Sequence, residues 1–115
     1  MVTGPMSQMN ITKQFICLTY NITYVIHCTK CAQLYISETG RILDTRFREH
    51  VADIKHRSDK PVANHFNQTG QTIHNISVKG PWLLFTDSVN DRKDMESHLI
   101  DKLGSRKPGG MNERL

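Results

Sequence analysis

A chain of 115 residues and 13.2 kDa has room for one small core. Apolar residues make up 37% and aromatics 7%, in runs too short for the roughly twenty apolar residues of a membrane span, so neither wholesale disorder nor a spanning helix fits. A formal charge of +4, with a pI near 9.1, leans toward polyanionic partners rather than a membrane.

Residues 1–14 are polar and are expected to be disordered, leaving 15–115 as a single domain. They lack the charged start and apolar stretch of a signal peptide, so the expected compartment is intracellular, nuclear or cytoplasmic. Three cysteines, an odd and sparse count, agree with a reducing compartment. From Phe15 to Cys28 β-formers dominate and predict a strand beginning near Tyr20. The polar connection CTKCAQ and a short strand over Leu34 to Ile36 complete a hairpin, which Gly40 ends. A helix is predicted from about Ile42 to His56, because Leu43, Phe47, Val51 and Ile54 are spaced by four, four and three. RSDKP breaks it, and Pro61 opens a short helix through Phe66 with Ser58 or Asp59 near its cap. Strand character returns over 73–85, interrupted at Gly80-Pro81. Ser88 with Asp91 marks a helix start, Met95, Leu99, Ile100 and Leu103 its inner side, and Gly104 its stop. Hairpin strands with helices packed on them define an α+β class, a small mixed α/β domain.

Several side chains on these elements can carry chemistry. Tyr24 and Tyr35 sit on the paired strands, where a tyrosine is ordinarily half-buried packing with its hydroxyl at the rim. Arg46 and His50 lie on one side of the first helix, flanking its apolar stripe. They read either as exposed neighbours or as a phosphate ligand beside a proton-transfer group. Glu96 borders the stripe of the last helix, paired with an Arg or holding a metal. Arg41, Arg46, Arg48, Lys55, Arg57 and Lys60 concentrate charge within twenty residues, which on charge alone is a solvated face. Cys28 and Cys31 form a CxxC, half of a zinc site, for which His27, His65 and His74 are candidate partners; the competing reading is two thiols filling a turn.

Taken in order, these motifs resemble the GIY-YIG nuclease family over about residues 20 to 114. Ile22-Thr23-Tyr24 stands where that family has Gly-Ile-Tyr, and Tyr35-Ile36-Ser37 where it has Tyr-Ile-Gly. The inter-strand CxxC, YISETGR, TRFREH, PVANHF and KPGGMNER are most similar to the C-terminal endonuclease of Penelope-like retroelements. The resemblance implies a central three-stranded antiparallel sheet flanked by helices. It implies metal-dependent nicking of DNA to leave a 3′-hydroxyl, which primes a reverse transcriptase domain of the same natural polypeptide. Tyr24 would be the general base, Arg46 the phosphate ligand, and Glu96 the ligand of Mg²⁺ or Mn²⁺. Tyr35 and His50 would orient the water or the phosphate, and Asn112 would stabilise structure near the site. Arg41, Arg48, Lys55 and Arg57 would track the DNA backbone, and Cys28, Cys31 and His65 would bind Zn²⁺. Ser37 departs from the motif glycine, and its Cβ and hydroxyl are expected to crowd the backbone near the substrate phosphate. The alternative function is a nucleic-acid-binding domain of the same fold without catalysis.

Overall fold

The computed structural model describes residues 19–68, 70–79 and 86–113. The expected disorder of residues 1–14, the strand prediction for 15–18 and that for 80–85 lie outside the described residues. The elements run β1 (Ile22–Cys28), β2 (Leu34–Thr39), α1 (Leu43–Lys55), α2 (Pro61–Phe66), a 3₁₀ turn (Ile73–Asn75), β3 (Ile76–Lys79) and α3 (Val89–Leu103). The sheet order is β2-β1-β3, antiparallel throughout, so the fold is a small mixed α/β sandwich of the α+β class.

Central β1 is buried on both faces, which explains why its sequence shows no simple alternation. Ile22, Tyr24, Ile26 and Cys28 face Leu43, Ile54, Val62, Ala63, Phe66 and Met111. Val25 and Ile36 face Leu99, with Leu34, Met95, Ile100 and Leu103 packed around them. Thus α1 and α2 cover one face and α3 covers the other.

The last helix follows its sequence signals: the Ser88 side chain accepts from the Asp91 N–H, and Gly104 closes the helix at φ 63°. Three local readings are corrected. The segment predicted as strand from residue 73 begins instead with a 3₁₀ turn, held by the Thr72 hydroxyl accepting from the His74 N–H. The cap of α2 is Lys60 without a side-chain bond; Asp59 instead accepts from Asn64 Nδ2 at 3.0 Å. On α1 His50 is buried with Leu43 and Ile54, at 4% exposure, whereas Val51 is half-buried. A hydrogen bond across to β1 satisfies that imidazole, and the helical period of apolar residues cannot register it.

Among the described residues edge strand β2 has no further strand beside it, and a side chain takes that place. The Ile36 N–H donates to Asn112 Oδ1 and the Ile36 carbonyl accepts from Asn112 Nδ2, both at 2.9 Å. The amide so imitates a peptide unit of a neighbouring strand. Ser105 Oγ donates to the same Oδ1 at 2.7 Å, which fixes the amide's orientation. Gly110 lets the chain double back here, since any Cβ would collide with the Ser105 backbone. Further along the same edge, buried Arg92 of α3 pairs with Glu38 at 2.9 Å and donates to Asn21 Oδ1 and the Thr86 carbonyl. Thr23 Oγ1 returns a bond to the Arg92 carbonyl at 3.0 Å, so the start of α3 is tied to both β1 and β2.

Removing the Asn112 amide leaves buried strand groups unpaired, at about 1–3 kcal/mol for each group that water does not reach. Asn112→Ala is therefore expected to lower the unfolding free energy in urea by about 2–4 kcal/mol, while exposed Asn64→Ala shifts it by less than about 1 kcal/mol. Equal, small shifts would show that the amide clamp contributes nothing.

Candidate functional site

In the β1–β2 register Tyr24 pairs with Ser37 and Ile26 with Tyr35. Directly paired residues share a face, so Tyr24, Ser37 and Tyr35 all point toward α1, with the tyrosines diagonal neighbours. His50 of α1 stands edge-on to both, its ring centroid 5.9 Å from Tyr24 and 5.7 Å from Tyr35. Tyr24 Oη lies 2.8 Å from His50 Nε2. Burial, opposed by the Arg46 charge and by hydrogen bonding from Ser37, pushes the Tyr24 hydroxyl up to about 12. Burial, aided by the Arg46 charge, drops His50 to about 4. At neutral pH the pair is therefore a protonated phenol against a neutral imidazole, which can accept the phenol's proton. Arg46, one turn before His50, acts on both groups and contacts Glu49 at 3.2 Å.

Glu96 comes from α3, on the opposite face, and meets this group around the edge of β2. The Ile36 backbone points outward to Asn112, so by strand alternation the Glu38 N–H also points outward. That N–H and the Ser37 hydroxyl lie near enough to the Glu96 carboxylate to favour its charged form. Desolvation raises the Glu96 pKa; the nearby Lys93 charge opposes this, but Lys93 makes its own salt bridge with Glu38 at 3.6 Å. Tyr24, Tyr35, Arg46 and His50 thus share one face, and Ser37 links them to Glu96. Asn112 clamps the residue between Tyr35 and Ser37.

The basic run does not form one continuous face. Arg41 grips Glu49 with both terminal nitrogens at 2.6 Å, beside Arg46, and its hydrogen bonds hold the Glu49 carboxyl below its usual range. Arg48 pairs with Asp44 at 2.9 Å. Lys55 and Arg57 stand at the far end of α1, lining a cleft with Phe66, Gln71 and Ile73. Exposed pairs of this kind are worth little, so an incoming phosphate can compete for these cations.

A second cluster lies at the hairpin tip. Cys28 ends β1, Cys31 follows in a turn closed by Ala32 N–H to the Cys28 carbonyl at 2.8 Å, and His65 comes from α2. Their ligand atoms lie within 4.8 Å of one another, and the three can hold a metal ion. Cys31 Sγ is 3.5 Å from His65 Nε2, and Cys28 Sγ donates to Gln71 Oε1 at 3.3 Å. Burial lowers the His65 pKa, which favours the neutral imidazole that ligation needs. Of the other candidates, His27 lies on the opposite face of β1 beside Ser77, and His74 is exposed in the 3₁₀ turn.

Sequence reasoning missed the roles of Ser37, Glu38, Glu49 and Arg92. Ser37 had a readable signal: if the CTKCAQ turn closes with the Cys28 N–H on the Gln33 carbonyl, as it does at 3.0 Å, counting back sets Tyr24 opposite Ser37. Comparison with family models, curated proteins and solved structures finds no match for this chain.

The buried His50 makes stability depend on pH. Its imidazole protonates near 6.5 in the unfolded chain and near about 4 in the fold, so protons favour unfolding between those values. Lowering the pH from 7 to 4 is expected to remove roughly 2–3 kcal/mol through this residue. Urea unfolding of wild type and His50→Gln across that range measures it. Identical slopes in the two proteins would mean His50 is not held neutral.

Proposed function

We propose that this chain is a metal-dependent DNA endonuclease domain of the GIY-YIG type, hydrolysing one phosphodiester to leave a 3′-hydroxyl and a 5′-phosphate. The observation that carries the reading is the Tyr24–His50 hydrogen bond beside Arg46, with a half-buried carboxylate brought to the same strand edge. Hydrolysis needs an activated water, charge stabilisation on the phosphate and help for the leaving oxygen.

Tyr24 at about 12 is too weak an acid to be ionised in advance at neutral pH. Its neighbours supply another route. The water's proton passes to Tyr24 Oη as the Tyr24 proton passes to neutral His50 Nε2, so a free phenolate need not accumulate. Tyr35 holds the other side of the His50 ring and, with it, orients the water or the phosphate. Arg46 exchanges Glu49 for the scissile phosphate, which its planar fork matches in two bonds. Glu96 supplies one carboxylate, a donor suited to Mg²⁺ or Mn²⁺ completed by waters and phosphate oxygens; the bound ion would supply Lewis-acid stabilisation of the phosphate oxygens. Arg41, Arg48, Lys55 and Arg57 follow the DNA backbone. The resemblance extends the proposal to a reverse transcriptase domain in the same natural polypeptide and to a nuclear or cytoplasmic setting. Among the described residues, no helix is long and apolar enough to cross a membrane.

The metal of the second cluster is proposed to be zinc, since two thiolates and an imidazole suit it better than they suit Mg²⁺. Its role is structural, tying the hairpin tip to α2.

Wild-type protein with Mg²⁺ or Mn²⁺ is expected to nick supercoiled plasmid. Glu96→Ala should fall below about 1% of that rate with DNA binding retained, and Arg46→Lys should lose nearly as much as Arg46→Ala, about 100-fold. DNA binding without cleavage under either metal would favour the non-catalytic domain instead. For the cluster, protein purified without added metal should carry one zinc per chain, and a chelator should lower its melting temperature by several degrees. Zinc far below one per chain, with melting unchanged by the chelator, would leave the cysteines as packing residues.

A further inference from the structure

The hairpin-tip cluster offers three ligands, whereas a structural zinc takes four. We propose that the fourth ligand is the side-chain oxygen of Gln71, which completes the site with Cys28, Cys31 and His65; this rests on the zinc reading above.

The path of the chain brings Gln71 to the cluster. Cys28 pairs with Ile76 between β1 and β3, so the segment joining α2 to β3 passes beside the hairpin tip. Two contacts fasten it there: Lys30 Nζ donates to the Gly70 carbonyl, and the Thr29 N–H donates to the Asn75 carbonyl at 2.8 Å. Between them the Gln71 N–H closes a turn on the Gln68 carbonyl at 3.0 Å. Half-buried Gln71 thereby meets the end of β1, where its Oε1 accepts from Cys28 Sγ at 3.3 Å.

In a tetrahedral site, with zinc–sulfur near about 2.3 Å and zinc–nitrogen or zinc–oxygen near about 2.0–2.2 Å, a sulfur stands about 3.5 Å from a neighbouring nitrogen or oxygen ligand. Cys31 Sγ is 3.5 Å from His65 Nε2, and Cys28 Sγ is 3.3 Å from Gln71 Oε1. The two pairs share no atom and each has the length of a tetrahedron edge. The bond between Cys28 and Gln71 also changes character when metal binds. The thiol proton that Oε1 accepts is released on ligation, which leaves an amide oxygen facing a thiolate. A cation between them makes that approach favourable; without one, the amide has to turn and donate its Nε2–H to the sulfur. Charge agrees with the first arrangement. Two thiolates balance Zn²⁺, so a neutral imidazole and a neutral amide leave the site uncharged, as the burial of Cys28 and His65 favours. No other His, Cys, Asp or Glu among the described residues joins the cluster. An amide oxygen is a weaker zinc donor than imidazole, so the site holds its metal less tightly than the same site with histidine at position 71.

Reduced, metal-free protein is titrated with Zn²⁺ against a chromophoric chelator, and with Co²⁺ while its visible absorption is recorded. Wild type, Gln71→Ala, Gln71→Glu, Gln71→His and Cys31→Ser are compared, each checked for folding by circular dichroism. Ligation predicts that Gln71→Ala binds Zn²⁺ about 10-fold more weakly, since even a partner behind a ligand is worth about 10–100-fold. Gln71→Glu, which keeps an oxygen donor, should match or exceed wild type. Gln71→His should bind about 10-fold more tightly and shift the Co²⁺ bands. A hydrogen-bonding role behind the thiolate predicts the reverse order for Glu, because a carboxylate has no proton to donate and repels the sulfur. Gln71→Glu at or below the affinity of Gln71→Ala, or Gln71→Ala within about 2-fold of wild type, would overturn the inference while Cys31→Ser still loses the metal. If wild type takes up neither Zn²⁺ nor Co²⁺, the zinc reading fails and the role of Gln71 falls with it.

Discussion

The outer edge of β2 is the constraint on which the rest of the structure depends. A three-stranded sheet with helices on both faces leaves that edge with backbone groups that no strand among the described residues receives. Here side chains receive them. Asn112 takes both polar groups of Ile36, and the Glu96 carboxylate stands near the Glu38 backbone, which favours its charged form. Closing the edge in this way brings a carboxylate from the α3 face to Ser37, on the face where Tyr24, Tyr35, Arg46 and His50 gather. The same hydrogen bonds that protect the edge therefore build the candidate site, and Arg92 beneath Glu38 secures the strand that both depend on.

On the α1 face, low dielectric rather than net charge sets the chemistry. Tyr24 and His50 are both buried, and burial pushes each toward its neutral form. Arg46 stands against both, favouring the phenolate and disfavouring the imidazolium. Glu49 lies between two guanidinium groups, shared by Arg41 and Arg46. The hairpin-tip cluster, which could hold a metal ion, lies at the far end of β1 from Tyr24, where the turn meets α2.

Much of this was legible in the sequence where the signal was local. Ser88, Gly104, the inner face of α3 and the hairpin follow from caps, period and composition, and the sheet has three antiparallel strands. His50 was read as flanking its stripe because helical periodicity counts apolar residues, and a polar residue buried by one bond to another element is invisible to it. The extended reading past residue 73 overlooked that Thr72 can cap a 3₁₀ turn before β3. Glu38 and Arg92 carry no local signal of their pairing, because the ion pair joins residues 54 positions apart in the chain. The choice of His65 over His27 and His74 required strand alternation and the placement of α2, which spacing alone leaves open.

The central claim is that residues from opposite faces of the sheet form one divalent-cation site at the edge of β2. Mn²⁺ titrated into isotope-labelled protein tests it through paramagnetic broadening of backbone amide signals. The account predicts that broadening begins at Ser37, Glu38 and residues around Glu96, reaches Tyr24, and disappears in Glu96→Ala. Broadening centred on Asp44, Asp53 or the hairpin tip, and unaffected by Glu96→Ala, would contradict it.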